Sequence, residues 1–139
     1  MKKTICALLL TCALTVCLAS CDDDSDSYSG SGYDPITLAS VFYDNDCEFP
    51  YATFDGSYIE IDTNPYDYDS DSSSATKYTS DALSKIKAIN SDLGFPSYVY
   101  QDMMSTRALD GRQSYEGTRF SASWRYHPDS GLEVMYTEN

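Results

Sequence analysis

The clearest alternation of apolar and polar positions lies toward the C-terminus. Phe120, Ala122, Trp124 and Tyr126 alternate with Arg119, Ser121, Ser123 and Arg125, and Leu132, Val134 and Tyr136 alternate with Glu133, Met135 and Thr137. A period of two marks strands with one buried face. Between the runs, His127-Pro128-Asp129-Ser130-Gly131 has the chemistry of a turn: Pro presets φ, Asp bonds local backbone and Gly accepts positive φ. The pattern predicts a hairpin in which Tyr126 faces Leu132, Trp124 faces Val134, Ala122 faces Tyr136, and Arg125 lies opposite Glu133. A slip of one residue would set apolar against polar throughout, which favours this register. Trp124 falls on the apolar face and is expected in the core.

Upstream, the spacing changes to that of helices. Leu83, Ile86, Ile89 or Asn90, and Leu93 form a stripe that Thr79 or Ser80 can cap and that Gly94 with Pro96 ends. Ser97 can cap a second helix presenting Val99, Met103 and Thr106 or Arg107, with a stop at Asp110-Gly111. Between Cys47 and Thr63 a second hairpin is expected: Asp55-Gly56 is a favoured two-residue turn, and Ser57-Tyr58-Ile59-Glu60-Ile61-Asp62-Thr63 follows as a strand that Asn64-Pro65 ends. Thr37 to Tyr43 reads as a further strand. Strands, then two helices, then strands predict an α+β domain, with a small antiparallel sheet (two hairpins) and two helices packed on one face.

Charge adds a polarity to this picture. The 139-residue chain has 9 Lys+Arg against 22 Asp+Glu, for a net charge of -13. Asp22 to Thr76 contains 14 acids and no Lys or Arg, whereas Lys77 to Asn139 contains 8 acids and 7 bases. A block of one sign reads as a solvated region, or as a face that attracts a basic protein. Nucleic acid is excluded as an expected partner, since phosphate binding needs clustered Lys and Arg.

The first residues carry a different pattern. Met1-Lys2-Lys3 is followed by a mainly apolar run from about Ile5 to Leu18 that no acid interrupts, too short for a membrane-spanning helix and laid out like a secretory signal. Leu18-Ala19-Ser20-Cys21 then resembles the lipobox of bacterial lipoproteins, which reads aliphatic, small, small, Cys. That resemblance implies a diacylglycerol thioether on Cys21, removal of residues 1–20, and a lipidated N-terminus that holds the chain to the cell membrane or outer membrane on the exported side. Acyl chains contribute about 0.8 kcal/mol per buried methylene, enough for a stable anchor when two or three share one residue. Cys6, Cys12 and Cys17 are expected to leave with the signal, and the mature chain has 7 bases and 22 acids, net -15.

Residues 21–35, opening Cys21-Asp22-Asp23-Asp24-Ser25-Asp26, read as an acidic Ser/Gly tether, because such a composition has little apolar area to bury. The acidic cluster after the lipobox Cys resembles the surface-export signal of Bacteroidetes lipoproteins; in enterobacteria-like cells an Asp in that position resembles an inner-membrane retention signal. Residues 36–139 are expected to form one domain, interrupted by an acidic loop near 66–76 that lies outside its core.

Candidate chemistry is sparse. Asp67, Asp69 and Asp71 alternate like the opening of a calcium loop, but Ser72 stands where such a loop needs Gly and Tyr78 where it needs a bidentate Glu. They read as a solvated loop, with the three Asp kept as candidate metal ligands. Cys47, the one thiol left after Cys21, is expected to be buried, and with His127 it is the single pair available for Cys-His nucleophilic catalysis. No Cys-x-x-Cys, His-Glu-x-x-His or Gly-rich phosphate loop follows Cys21, so no cofactor is expected. Tyr58, Tyr66, Tyr68, Tyr98 and Tyr100 are candidates for exposed aromatic contacts.

Ile61-Asp62-Thr63-Asn64-Pro65, Leu93-Gly94-Phe95-Pro96, Ala108-Leu109-Asp110-Gly111-Arg112-Gln113 and Trp124-Arg125-Tyr126-His127-Pro128 through Gly131-Leu132-Glu133-Val134 resemble segments of short lipoproteins of anaerobic bacteria. This supports reading residues 57–139 as one unit and implies no activity. The expectation is a lipid-anchored envelope lipoprotein whose acidic, Tyr-rich ectodomain binds rather than catalyses. The alternatives are an inhibitor or immunity-type protein that captures a basic exported protein, a small Cys47/His127 hydrolase, and a cation-dependent adhesin using Asp67, Asp69 and Asp71.

Overall fold

The computed structural model describes residues 35–69 and 71–139. The expected signal at 1–20, the lipid-attachment residue Cys21, and the tether except Pro35 lie outside the described residues. In chain order the elements are α1 (Leu38–Asp44), β1 (Ala52–Phe54), β2 (Tyr58–Asp62), α2 (Ser73–Asp92), α3 (Ser97–Ser105), a 3-10 turn (Ala108–Asp110), β3 (Gln113–Glu116), β4 (Phe120–His127) and β5 (Gly131–Glu138). The strands form one sheet in the order β1-β2-β5-β4-β3, antiparallel at every step. The domain is α+β, as expected, but with three α-helices and with five strands rather than two separate hairpins: β1–β2 and β4–β5 join through β2 and β5, and β3 adds to the free edge of β4.

The C-terminal hairpin has the register that its alternation demands: Tyr126 opposite Leu132, Trp124 opposite Val134, Ala122 opposite Tyr136 and Arg125 opposite Glu133. Trp124, Ala122, Leu132, Val134 and Tyr136 are buried, while Arg125 and Glu133 pair at 2.7 Å on the other face. In the β1–β2 turn, Asp55 Oδ1 accepts the Ser57 and Tyr58 amides, and Gly56 supplies a φ of +97°. Ile59 and Ile61 of β2 then enter the core beside Ile86 and Ile89 of α2. Tyr136 is fully buried there, and its hydroxyl donates to Asn90 Oδ1 of α2 at 2.8 Å.

Four local expectations require correction. Thr37 to Tyr43 is not a strand: α1 begins after Thr37, whose hydroxyl accepts the Ser40 amide while the Ser40 hydroxyl accepts the Thr37 amide. Leu38, Val41 and Phe42 are buried at helical spacing, so period 3.6 prevails over the β-branched composition. Helix α2 starts at Ser73 rather than near Ser80, because the Ser72 hydroxyl caps it by accepting the Ala75 amide at 2.9 Å. The end of the acidic segment is thus helical, and Ala75 is buried.

The second expected helix, α3, is present, but Pro96 rather than Ser97 is at the cap position, with no side-chain cap bond, and the helix ends at Ser105 instead of reaching Asp110. Thr106 turns extended, and its hydroxyl receives the indole N–H of Trp124 at 2.8 Å. A buried indole donor needs such a partner, and a continuous helix would not present it. The fourth correction is β3, absent from the sequence reading because only Tyr115 among its four residues is strongly apolar.

Candidate functional site

A groove of about 920 Å³ opens at one end of the sheet, between the segment after β2, the first half of α2, the C-terminal end of α3 and the β4–β5 turn. Its size is that of sites that enclose a drug-sized ligand. The buried side chains of Thr63, Ala75, Met103 and Leu132 line its inner part, with Leu83 beside them. Met104 and Tyr126, both exposed, lie nearer the mouth. Among the described residues, the charged ones lining it are Asp67, Asp69 and Asp129, with no Lys, Arg or His.

The walls are held together by two polar side chains that β2 delivers as it ends. Thr63 Oγ1 accepts the Leu132 amide at 2.7 Å, and the Thr79 hydroxyl of α2 donates to the Thr63 carbonyl at 3.0 Å. Asn64, only 8% exposed, donates through Nδ2 to the Tyr68 carbonyl at 3.0 Å and to the Asp129 carbonyl at 2.8 Å, and its Oδ1 accepts the Tyr68 amide at 3.0 Å. One amide therefore fixes the carboxylate-bearing loop to the hairpin turn opposite, and the groove is preorganised. Gly131 completes the junction: its φ is +80°, and a Cβ there would run into Thr63 Oγ1.

An aromatic cluster adjoins this wall. The Tyr68 and Tyr78 rings stack with centroids 6.1 Å apart and planes within 5°, and Tyr66 meets both edge-on. Lys77 Nζ lies 5.3 Å from the Tyr78 centroid, so the cluster already attracts one cation through a ring face. Tyr66, Tyr68 and Tyr98 are exposed, whereas Tyr58 and Tyr100 are half-buried.

Asp67 and Asp69 are on the groove wall, but Asp71 is not among its lining residues. Among the described residues no three His, Cys, Asp or Glu groups are grouped to hold a metal ion. Cys47 is buried, 8% exposed, in the connection between α1 and β1. Desolvation pushes its thiol up to about 11, against the pull of Lys85 and with a smaller push from Asp46. A thiol so placed is protonated and weakly nucleophilic at neutral pH. His127 is exposed at the end of β4, where its Nδ1 accepts the Asp129 amide at 3.2 Å. The fold does not bring Cys47 and His127 together.

On the open face of the sheet, burial raises the Asp62 pKa, with Glu133, Asp67 and Glu60 adding to the rise and the Asn64 amide opposing it. The charge of Asp67 in the loop thus reaches the last residue of β2, two positions before Asn64. Sequence reasoning found two groove residues, Asp67 and Asp69, for a different chemistry, and singled out Tyr68. It missed Thr63, Asn64, Met104 and Asp129 as parts of one site; the Asn64-Pro65 strand end and the Asp129 turn were visible separately, but only the β2–β5 pairing joins them.

No family model matches the chain, and no curated protein and no solved structure matches it. Among the described residues no helix is long and apolar enough to cross a membrane.

Proposed function

We propose that this chain is a bacterial envelope lipoprotein, held by a lipidated Cys21, whose domain binds a partner rather than catalysing a reaction. The observation that carries the binding reading is the groove, an open cavity with both polar and apolar lining, walls joined by Asn64, and, among the described residues, acidic side chains alone as its charged lining. The anchor is supported by Leu18-Ala19-Ser20-Cys21 behind a basic start and a mainly apolar run that no charged residue interrupts. The acidic rim favours one particular form of this reading, a protein that captures a basic exported protein.

The anchor is tested with full-length protein expressed in a bacterial host, as wild type and as Cys21→Ala, by intact mass and detergent partitioning. Wild type is expected to carry diacylglycerol and acyl mass and to partition with membrane, and the variant to do neither. Two soluble, unlipidated proteins would end the anchored reading.

A further inference from the structure

We propose that the groove between the Asn64–Asp69 segment and the Asp129 turn is the docking site for a Lys- or Arg-bearing segment of a basic protein, with the cationic head at the acidic rim and its aliphatic stem against Met104. This rests on the binding reading above and names its site and the partner's chemistry.

Three features converge on that occupant. The charged lining residues are Asp67, Asp69 and Asp129, so charge complementarity selects a cation. The rim alone would suit any cation, but the interior also offers apolar and thioether surface: Met104 is 45% exposed and lies beside buried Met103 and Leu132. A metal ion or a bare ammonium gains nothing from that surface. Lysine and arginine do, because their long stems cover apolar area while the head stays at the rim. Tyr68 and Tyr126, both exposed among the lining residues, add ring faces of the kind that attract cationic heads.

Size separates a protein segment from a small cation. A groove of about 920 Å³ has room for several side chains of a continuous chain, and it is open rather than closed over its contents. Asn64 and Thr63 hold the walls in place through backbone atoms, so the rim carboxylates are not used in joining them; Asp129 Oδ2 lies 3.8 Å from His127 Nδ1.

The test uses the full chain and a fluorescein-labelled peptide of alternating Lys and Leu, followed by anisotropy at low and high salt, with a Glu-Leu peptide as the opposite-charge control. Two variants of equal net charge are compared: Asp67→Asn with Asp69→Asn and Asp129→Asn, and the distant set Glu48→Gln with Glu60→Gln and Glu116→Gln. A third variant, Met104→Ala, probes the stem contact without changing charge, and melting curves establish that each is folded. Wild type is expected to bind the Lys-Leu peptide, more weakly as salt rises, and to ignore the Glu-Leu peptide. The groove set should weaken binding about tenfold or more, and Met104→Ala several-fold, while the distant set stays close to wild type. Equal loss in both charge sets would assign the effect to overall charge and overturn the groove. Absence of Lys-Leu binding by folded wild type would also overturn it. Neither result touches the anchored reading, which the mass of the Cys21 protein decides separately.

Discussion

Asn64 offers a direct test of how the groove is built. It makes three hydrogen bonds: within its own loop it donates to the Tyr68 carbonyl and accepts the Tyr68 amide, and across the gap it donates to the Asp129 carbonyl. A net contribution of about 0.5–1.5 kcal/mol per bond gives about 3 kcal/mol for all three. Water can reach an open groove and replace some of them, so Asn64→Ala should destabilise by about 2 kcal/mol. Asn64→Asp keeps the shape but can only accept when ionised, and it would turn an anion toward two carbonyl oxygens beside Asp67 and Asp69. At neutral pH it should therefore cost about 1 kcal/mol more than alanine. The introduced carboxyl is disfavoured as an anion in the folded state, so its folded pKa lies above the unfolded value of about 3.9. The folded state then binds more protons in that window, and the variant should regain stability as pH falls toward about 4. Urea denaturation followed by Trp124 fluorescence, with m unchanged, measures each value. The reasoning is refuted if Asn64→Ala lies within about 0.5 kcal/mol of wild type, or if Asn64→Asp is the more stable variant at neutral pH.

Other consequences are open to the same denaturation assay. Tyr136→Phe leaves buried Asn90 Oδ1 without its donor and should cost about 1–3 kcal/mol, whereas adding Asn90→Leu should cost less than the sum of the single changes. Gly131→Ala should cost at least about 2 kcal/mol, from a left-handed backbone and from contact with the Thr63 hydroxyl that accepts the Leu132 amide. Burial raises the Cys47 thiol from 9.0 to about 11, so the unfolded chain loses that proton first as pH rises; stability present below pH 9.0 is lost toward pH 11, by about 2 kcal/mol. Tyr136, also raised by burial, continues the decline above pH 10.0, and Cys47→Ala should remove the earlier part of it.

What could be read in advance followed from strict local patterning. The β4–β5 hairpin has alternation on both strands and a turn with Pro, Asp and Gly, so its register, the burial of Trp124 and the Arg125–Glu133 pair were all legible. The N-terminal part of α2 was not: between Ser72 and Tyr78 only Ala75 is apolar, and one buried alanine gives no stripe to detect. In α1, Thr37 and Val41 suggested extended backbone, and the reciprocal Thr37–Ser40 cap decided for helix. Thr106 looked like a helical position, yet the indole of Trp124, 18 residues away, claims its hydroxyl. The groove failed for the same reason, since Asn64 and Asp129 are 65 residues apart and meet only through long-range strand pairing.

The strand order also constrains when this domain can fold. Strand β5 follows the other four in the chain but occupies the centre of the sheet, pairing with β2 on one side and β4 on the other. Until it emerges, the β1–β2 hairpin has no neighbour, Tyr136 is missing from the core, and Thr63 lacks the Leu132 amide. An isolated two-stranded hairpin is marginal in water, so the early part of the chain cannot lock in a native sheet as it is synthesised. Strand β5 is therefore the keystone of the domain: a chain ending before Gly131 is expected to hold hairpins without a common sheet, and native structure to wait for the residues made last among those described.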